Sequence, residues 1–307
     1  MAASTKQTYS AGEKRFISFV NLYRPQEGKH LLPASEETLM KFAAYLAKSI
    51  KHSLIKNYLA AVRHFHIRNG FSLDCQQMLR LQLVLRGIKR SQGDKVRVRL
   101  PITIHHLKLF HMMLALPVTT NFDSIMSWAA ITLAFFGFLR LGELTCNSKF
   151  NGDTHLMPED VVFSNEVQPT AAMFIRIKES KTDPFRVGHT ITIGGTNTPL
   201  CPVLAMKQYL AIRPQKSGPL FVNAVGKPLT KQALTLETRK LLAQAGFNAS
   251  NFAGHSYRIG AATTAAAAKL PSWLIKTLGR WSSDCYERYI QTPSSTLLSV
   301  AATLANI

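Results

Sequence analysis

Acidic side chains are scarce. Asp and Glu number 17 against 37 Lys and Arg, a formal charge of +20 over 307 residues. That imbalance favours a polyanionic partner, nucleic acid before membrane surface, although charge alone also suits a ribosomal-type or simply basic protein. Cysteine is rarer still. Cys75, Cys146, Cys201 and Cys285 stand far apart with no CxxC pair. Their spacing argues against a structural zinc and for reduced thiols in an intracellular compartment. Long apolar runs are also missing. The stretch 128–138 is too short to span a bilayer and is followed almost at once by Arg140. Residues 1–12 lack the apolar core of a signal peptide. No internal repeat is visible.

What remains is material for packed cores, since 46 % of the residues are hydrophobic. The length suffices for two domains of ordinary size. Residues 5–23 read as a helix with Tyr9, Phe16, Phe19 and Val20 on one side. Ser35 caps a second, in which Leu39, Phe42, Ala43 and Leu46 repeat at helical spacing. Residues 53–68 and 75–89 make a third and a fourth, the third closed by Asn69-Gly70. The expected organisation is a helical DNA-binding domain over 1–90, a basic linker over 91–101 and a larger domain over 102–307. Between Gly87 and Pro101, Lys89, Arg90, Lys95, Arg97 and Arg99 alternate with small or β-branched residues and fit no amphipathic helix, as an extended segment along a phosphate backbone would, or a solvated one.

In the larger domain, Thr103 caps a helix over 104–114, and 122–138 reads as a buried helix ending at Arg140. Residues 161–163, 172–178 and 190–193 have strand composition. Met173, Ile175 and Ile177 alternate with Phe174, Arg176 and Lys178, the period-2 signal of a half-buried sheet. Residues 180–184 form the turn between two of these strands. Pro202 opens another helix, Thr230 caps one ending at Gly246, and the rest is largely helical. The predicted class is mainly α, with a small antiparallel sheet in the second domain.

The chemistry gathers in a few motifs. Gly254-His255-Ser256-Tyr257-Arg258 puts a histidine and an arginine three apart, on one face if helical. Leu278-Gly279-Arg280-Trp281 follows, then Tyr289-Ile290. Upstream, Phe138-Leu139-Arg140-Leu141-Gly142-Glu143-Leu144 offers another arginine, with Glu143 placed to orient it. Lys181 lies in the strand–strand turn, with Lys178 and Arg186 as neighbours. Arginine forks grip phosphate oxygens, lysine and histidine handle protons, and tyrosine supplies a nucleophile. Each residue alone has an ordinary reading: a structural Arg–Glu pair, a capping histidine, a solvated turn lysine.

In this order and spacing the set resembles the tyrosine recombinase (phage integrase) family. The wording FGFLRLGEL, SKTD, GHSYRIGAAT and GRWSSDCYERYI is most similar to recombinases of eukaryotic Crypton and DIRS-type mobile elements. The resemblance covers about residues 100–295 well and the first hundred loosely. It implies catalytic roles for Arg140, Lys181, His255, Arg258, Arg280 and Tyr289. The family places its tyrosine nine residues after a second histidine. Arg280 holds that histidine's slot here, which gives the nucleophile to Tyr289 rather than Tyr286 and leaves the histidine's role to Arg280 or Trp281.

The reaction so implied cuts and rejoins DNA through a 3′-phosphotyrosyl link, with no metal, nucleotide or other cofactor. The implied partners are double-stranded DNA and further copies of the chain, as a tetramer on DNA, with no membrane. The implied location is the nucleus in a eukaryote and the cytoplasm otherwise. The apolar segment after Pro293 (Leu297, Leu298, Val300, Ala301, Leu304) is expected to dock, on a neighbouring protomer or on its own domain. Two rival functions share these residues: a type IB topoisomerase-like nick-and-seal enzyme, and a domesticated DNA-binding protein that has lost the reaction.

Overall fold

The computed structural model describes residues 3–23, 32–93, 99–116, 121–147, 149–164, 171–180, 183, 185–291, 298 and 305. The chain divides into two compact units, Met1–Val96 and Arg97–Ile307. Lys89 and Arg90, expected in an extended stretch, instead lie in the last turn of a helix over Leu79–Gln92, where basic side chains suit the helix C-terminus. Lys95 and Arg97, and most of the segment after Pro293, lie outside the described residues.

Among the described residues the first unit carries four helices: α1 (Ala3–Tyr23), α2 (Glu36–Ala47), α3 (His52–Arg68) and α4 (Leu79–Gln92). Phe16, Leu39, Phe42, Leu46 and Ile55 are its fully buried centre, so the helical spacing identified the core. Ser35 caps α2 as expected, its hydroxyl accepting from the Thr38 N–H at 3.2 Å. The fourth helix starts four residues later than the sequence suggests. The Asp74 carboxylate takes the Gln76 N–H at 2.9 Å, and that local bond competes with a helical turn.

The second unit carries a three-stranded antiparallel sheet in the order β1 (Val161–Phe163), β2 (Ala172–Ile177), β3 (His189–Gly194). Ile175 sits opposite both Val161 and Ile191. The Met173, Ile175 and Ile177 face is buried, as the alternation requires. Around the sheet stand α5 (Ile104–Leu114), α6 (Phe122–Phe136), the single turn α7 (Leu141–Leu144), α8 (Pro202–Ile212), α9 (Lys231–Gln244), α10 (Ser256–Ala267) and α11 (Ser272–Gly279). Thr103, Pro202 and Thr230 begin their helices where the sequence places them.

Two differences from expectation matter for the site. Helix α6 stops at Phe136, because Phe138 takes a left-handed conformation (φ 51°) that ends the helix before Arg140. Tyr289 is not on an α-helix but ends a short 3-10 stretch, Asp284–Tyr289. Among the described residues, no helix is long and apolar enough to cross a membrane.

Candidate active site

The site is assembled from chain reversals. Arg140 is the N-cap of α7, and Glu143 in that single turn reaches back to it. The Arg140 Nη1 donates to Glu143 Oε1 at 2.8 Å, and the Arg140 backbone N–H to Oε2 at 3.0 Å. Arg280 is the left-handed C-cap of α11 (φ 54°, ψ 46°). From there its Nη2 donates to the same Glu143 Oε2 at 2.7 Å, and its Nη1 to the Gly137 carbonyl at 3.2 Å. Glu143, whose side chain is 4 % exposed, therefore joins two arginines.

Arg258 lies on α10 and is fully buried. Its Nη1 donates to the Phe138 carbonyl at 2.7 Å and its Nη2 to the Gly279 carbonyl. The guanidinium stacks on Trp281, 4.2 Å from the ring centroid, with the Tyr289 ring 5.8 Å away. Trp281 reaches this place because Gly279 has no side chain; a Cβ there would overlap the indole. The two left-handed residues, Phe138 and Arg280, thus sit where backbone carbonyls and side chains turn inward on the arginines. Sparsely populated backbone held by surrounding structure is a feature of functional sites.

Burial, with Arg140 and then Arg280 adding repulsion, pushes the Arg258 guanidinium down to about 10, while Glu143 opposes the shift. Arg280 is lowered by burial first, with Glu143 pulling the other way. Three guanidiniums against one carboxylate leave a formal excess of two positive charges. Among the described residues, the buried Nε of Arg258, Nε of Arg280 and Nε1 of Trp281 have no hydrogen-bond partner. A cluster rich in donors, poor in acceptors and positive in sum suits an anion with several oxygens.

His255 stands at the cap before α10 and is exposed, whereas Arg258 one turn on is buried. The backbone at His255 is already helical (φ −75°, ψ −15°), so the two differ in exposure and not in helical register. Gly254, beside it, packs against Leu141, which brings the starts of α10 and α7 together. Tyr289 is partly buried and its carbonyl accepts from Thr263 Oγ1 at 3.2 Å. Tyr286 is buried beside Trp281, ring centroids 6.0 Å apart.

Lys181 lies outside the described residues. Its neighbour Lys178 is committed elsewhere, with Nζ 2.7 Å from Asp160 Oδ2 and 2.8 Å from the Gly152 carbonyl. Arg186 pairs with Glu179 at 3.6 Å on the surface. The hairpin nevertheless ends at the cluster: Ser180, Asp183, Val187 and Gly188 line one small pocket with Arg280. The tie between Glu143 and Arg280 had no sequence signal. An unpaired acidic residue near an arginine points to a partner only when that partner is close in sequence.

No protein-family model matches the chain. An integrase/recombinase, the xerD homolog of Selenomonas ruminantium, is 27 % identical over 270 residues, spanning 85 % of this chain and 74 % of its own. By sequence the chain is similar to that integrase/recombinase, and by fold to solved recombinases and integrases. The XerH site-specific recombinase bound to a palindromic difH substrate superposes with a TM-score of 0.66 at 16 % identity, over 96 % of this chain and 78 % of that one. A lambda integrase dimer bound to a COC′ core site gives 0.60 at 14 % identity, over 95 % and 89 %. The Tn1549 transposon integrase in complex with transposon right end DNA gives 0.58 at 14 %, over 99 % and 95 %. The likeness is one of fold: a mainly helical chain with a small antiparallel sheet.

Proposed function

We propose that this chain is a site-specific DNA recombinase that cuts and rejoins strands through a 3′-phosphotyrosyl intermediate. The observation that carries the reading is the buried group of Arg140, Arg258 and Arg280 around the single carboxylate of Glu143, with Tyr289 against Arg258. A scissile phosphodiester supplies the oxygens and negative charge that this group lacks. The relatives named above, among them complexes with recombination-site and transposon-end DNA, support the same reading.

In the proposed reaction the Tyr289 oxygen attacks phosphorus as its own proton leaves. A phenol must give up its proton to attack, and His255 assists that transfer. Arg258 and Arg140 offset charge developing on the non-bridging oxygens. Arg280 holds the Glu143 carboxylate, and through it Arg140. The P–O5′ bond breaks, Lys181 gives the 5′ oxygen a proton, and a 5′-hydroxyl is released. One phosphoester replaces another, so the reverse attack by a different 5′-hydroxyl reseals the strand.

Assembly as a tetramer on paired sites, an origin in a Crypton- or DIRS-like mobile element and a nuclear location belong to the same proposal, the last two resting on the wording of the motifs. Trapping on DNA nicked near the cleavage site tests the reaction. Wild-type protein is expected to become covalently attached and Tyr289→Phe to bind without attaching, whereas Tyr286→Phe attaches. DNA mapped to Tyr286 would reverse the assignment, and attachment by neither would remove the reading.

A further inference from the structure

The segment returning from the turn to β3 displays an aromatic ring in solvent. Phe185 is 87 % exposed and Val187 71 %. Ordinary surface loops leave such side chains out by chance, but the backbone around this one is fastened. The Asp183 carboxylate accepts the Gly188 N–H at 2.8 Å and the Val187 N–H at 3.1 Å, bonds that hold its carboxyl below the usual range. From β2, Arg176 Nη2 donates to the Val187 carbonyl at 2.7 Å. Arg186 and Gly188 are both left-handed (φ 56° and 73°), and a Cβ at Gly188 would press on the Ile177 carbonyl and the Arg176 guanidinium. These bonds fix the backbone on the β3 side of the exposed ring.

Its place and its flanks say what it meets. Asp183, Val187 and Gly188 line a pocket with Arg280, so the segment that carries Phe185 adjoins the arginine cluster. Arg186 follows Phe185 in the chain and Arg176 reaches the Val187 carbonyl, so the segment carries basic residues of the kind that suit a phosphate backbone. An exposed ring on a basic segment that adjoins a phosphate-holding site suits a nucleobase, and side chains such as Phe wedge between base steps in duplexes.

We infer that Phe185 is a wedge that enters DNA beside the scissile phosphate, stacks on a base of the adjoining step and loosens it. The inference rests on the recombinase reading. It assigns Phe185 a part in choosing the cleavage position, since steps that unstack easily admit the ring at least cost.

The test places 2-aminopurine at the step next to the scissile phosphate and compares wild type with Phe185→Ala and Phe185→Trp. Wild type is expected to raise the fluorescence on binding, and Phe185→Ala to bind without the rise. On fully paired DNA, Phe185→Ala should form the covalent complex about tenfold more slowly or worse, as expected for one lost base–aromatic stack. A mismatch at that step should restore its rate, and Phe185→Trp should keep the rate on paired DNA. Equal rates for Phe185→Ala and wild type on paired DNA would overturn the wedge. So would an intact fluorescence rise with a defect confined to multimer assembly, which would give the ring to a neighbouring protomer. If wild type attaches to neither substrate, the recombinase reading itself fails.

Discussion

Arg280 donates to Glu143 at 2.7 Å, and the two stand 137 residues apart in the chain. Glu143 also holds Arg140, so one buried carboxylate fixes two guanidiniums from opposite ends of the second unit. Removing it strands two positive groups in the interior. Glu143→Ala should cost about 3–5 kcal/mol in urea unfolding, the usual scale for a broken buried pair. Glu143→Gln should cost less, because the amide oxygen still accepts. If both variants unfold like wild type, the bridge is not formed in solution.

The turn lysine has a chemical test that needs no structure of the turn. A 5′-bridging phosphorothiolate has a sulfur leaving group that scarcely requires a proton. Lys181→Ala is expected to cleave ordinary DNA poorly and the thio-substrate at nearly the wild-type rate. Equal slowness on both would give Lys181 a positioning role instead of an acid's.

His66 makes the stability of the first unit depend on pH. Its Nε2 accepts the Ala34 N–H at 2.8 Å while Nδ1 donates to the Val62 carbonyl at 2.7 Å, which only the neutral ring can do. Burial pushes its pKa below the ordinary 6.5, with the Val62 bond opposing. As pH falls below that value the unfolded chain takes up a proton that the folded chain resists. The contribution is thus present above about pH 6.5 and lost as pH falls through the folded pKa. Urea unfolding of the full chain by circular dichroism should show an earlier midpoint at about pH 5.5 than at about 7.5, and His66→Gln should flatten that difference. A wild-type midpoint that does not move between the two would count against it.

Gly260 sets the seat of α10. The Ile102 N–H donates to the Ser256 carbonyl at 2.9 Å, and a Cβ at Gly260 would overlap the Ile102 carbonyl. Gly260→Ala should therefore destabilise the chain by at least about 1–3 kcal/mol, the cost of overpacking against a backbone that cannot yield. Because Arg258 rides on the same helix, covalent attachment should fall more than DNA binding does. A variant as stable and active as wild type would mean that α10 can slide.

Local physics made much of this protein legible in its sequence. Helical spacing named Phe16, Leu39, Phe42 and Leu46 as core, strand alternation named Met173, Ile175 and Ile177, and short-range side-chain bonds fixed the caps at Ser35, Thr103 and Thr230. These signals act within a few residues, so composition carries them directly. The order of Arg140, Lys181, His255, Arg258 and Tyr289 was also readable, as a resemblance. What the sequence could not express is the sharing of Glu143 by Arg140 and Arg280, the burial of Arg258 beneath Trp281, or the exposure that separates His255 from it. Those depend on left-handed backbone at Phe138 and Arg280, residues that rarely adopt it by preference. Only the contacts closing around them, from segments more than a hundred residues apart, make that backbone the lowest in free energy.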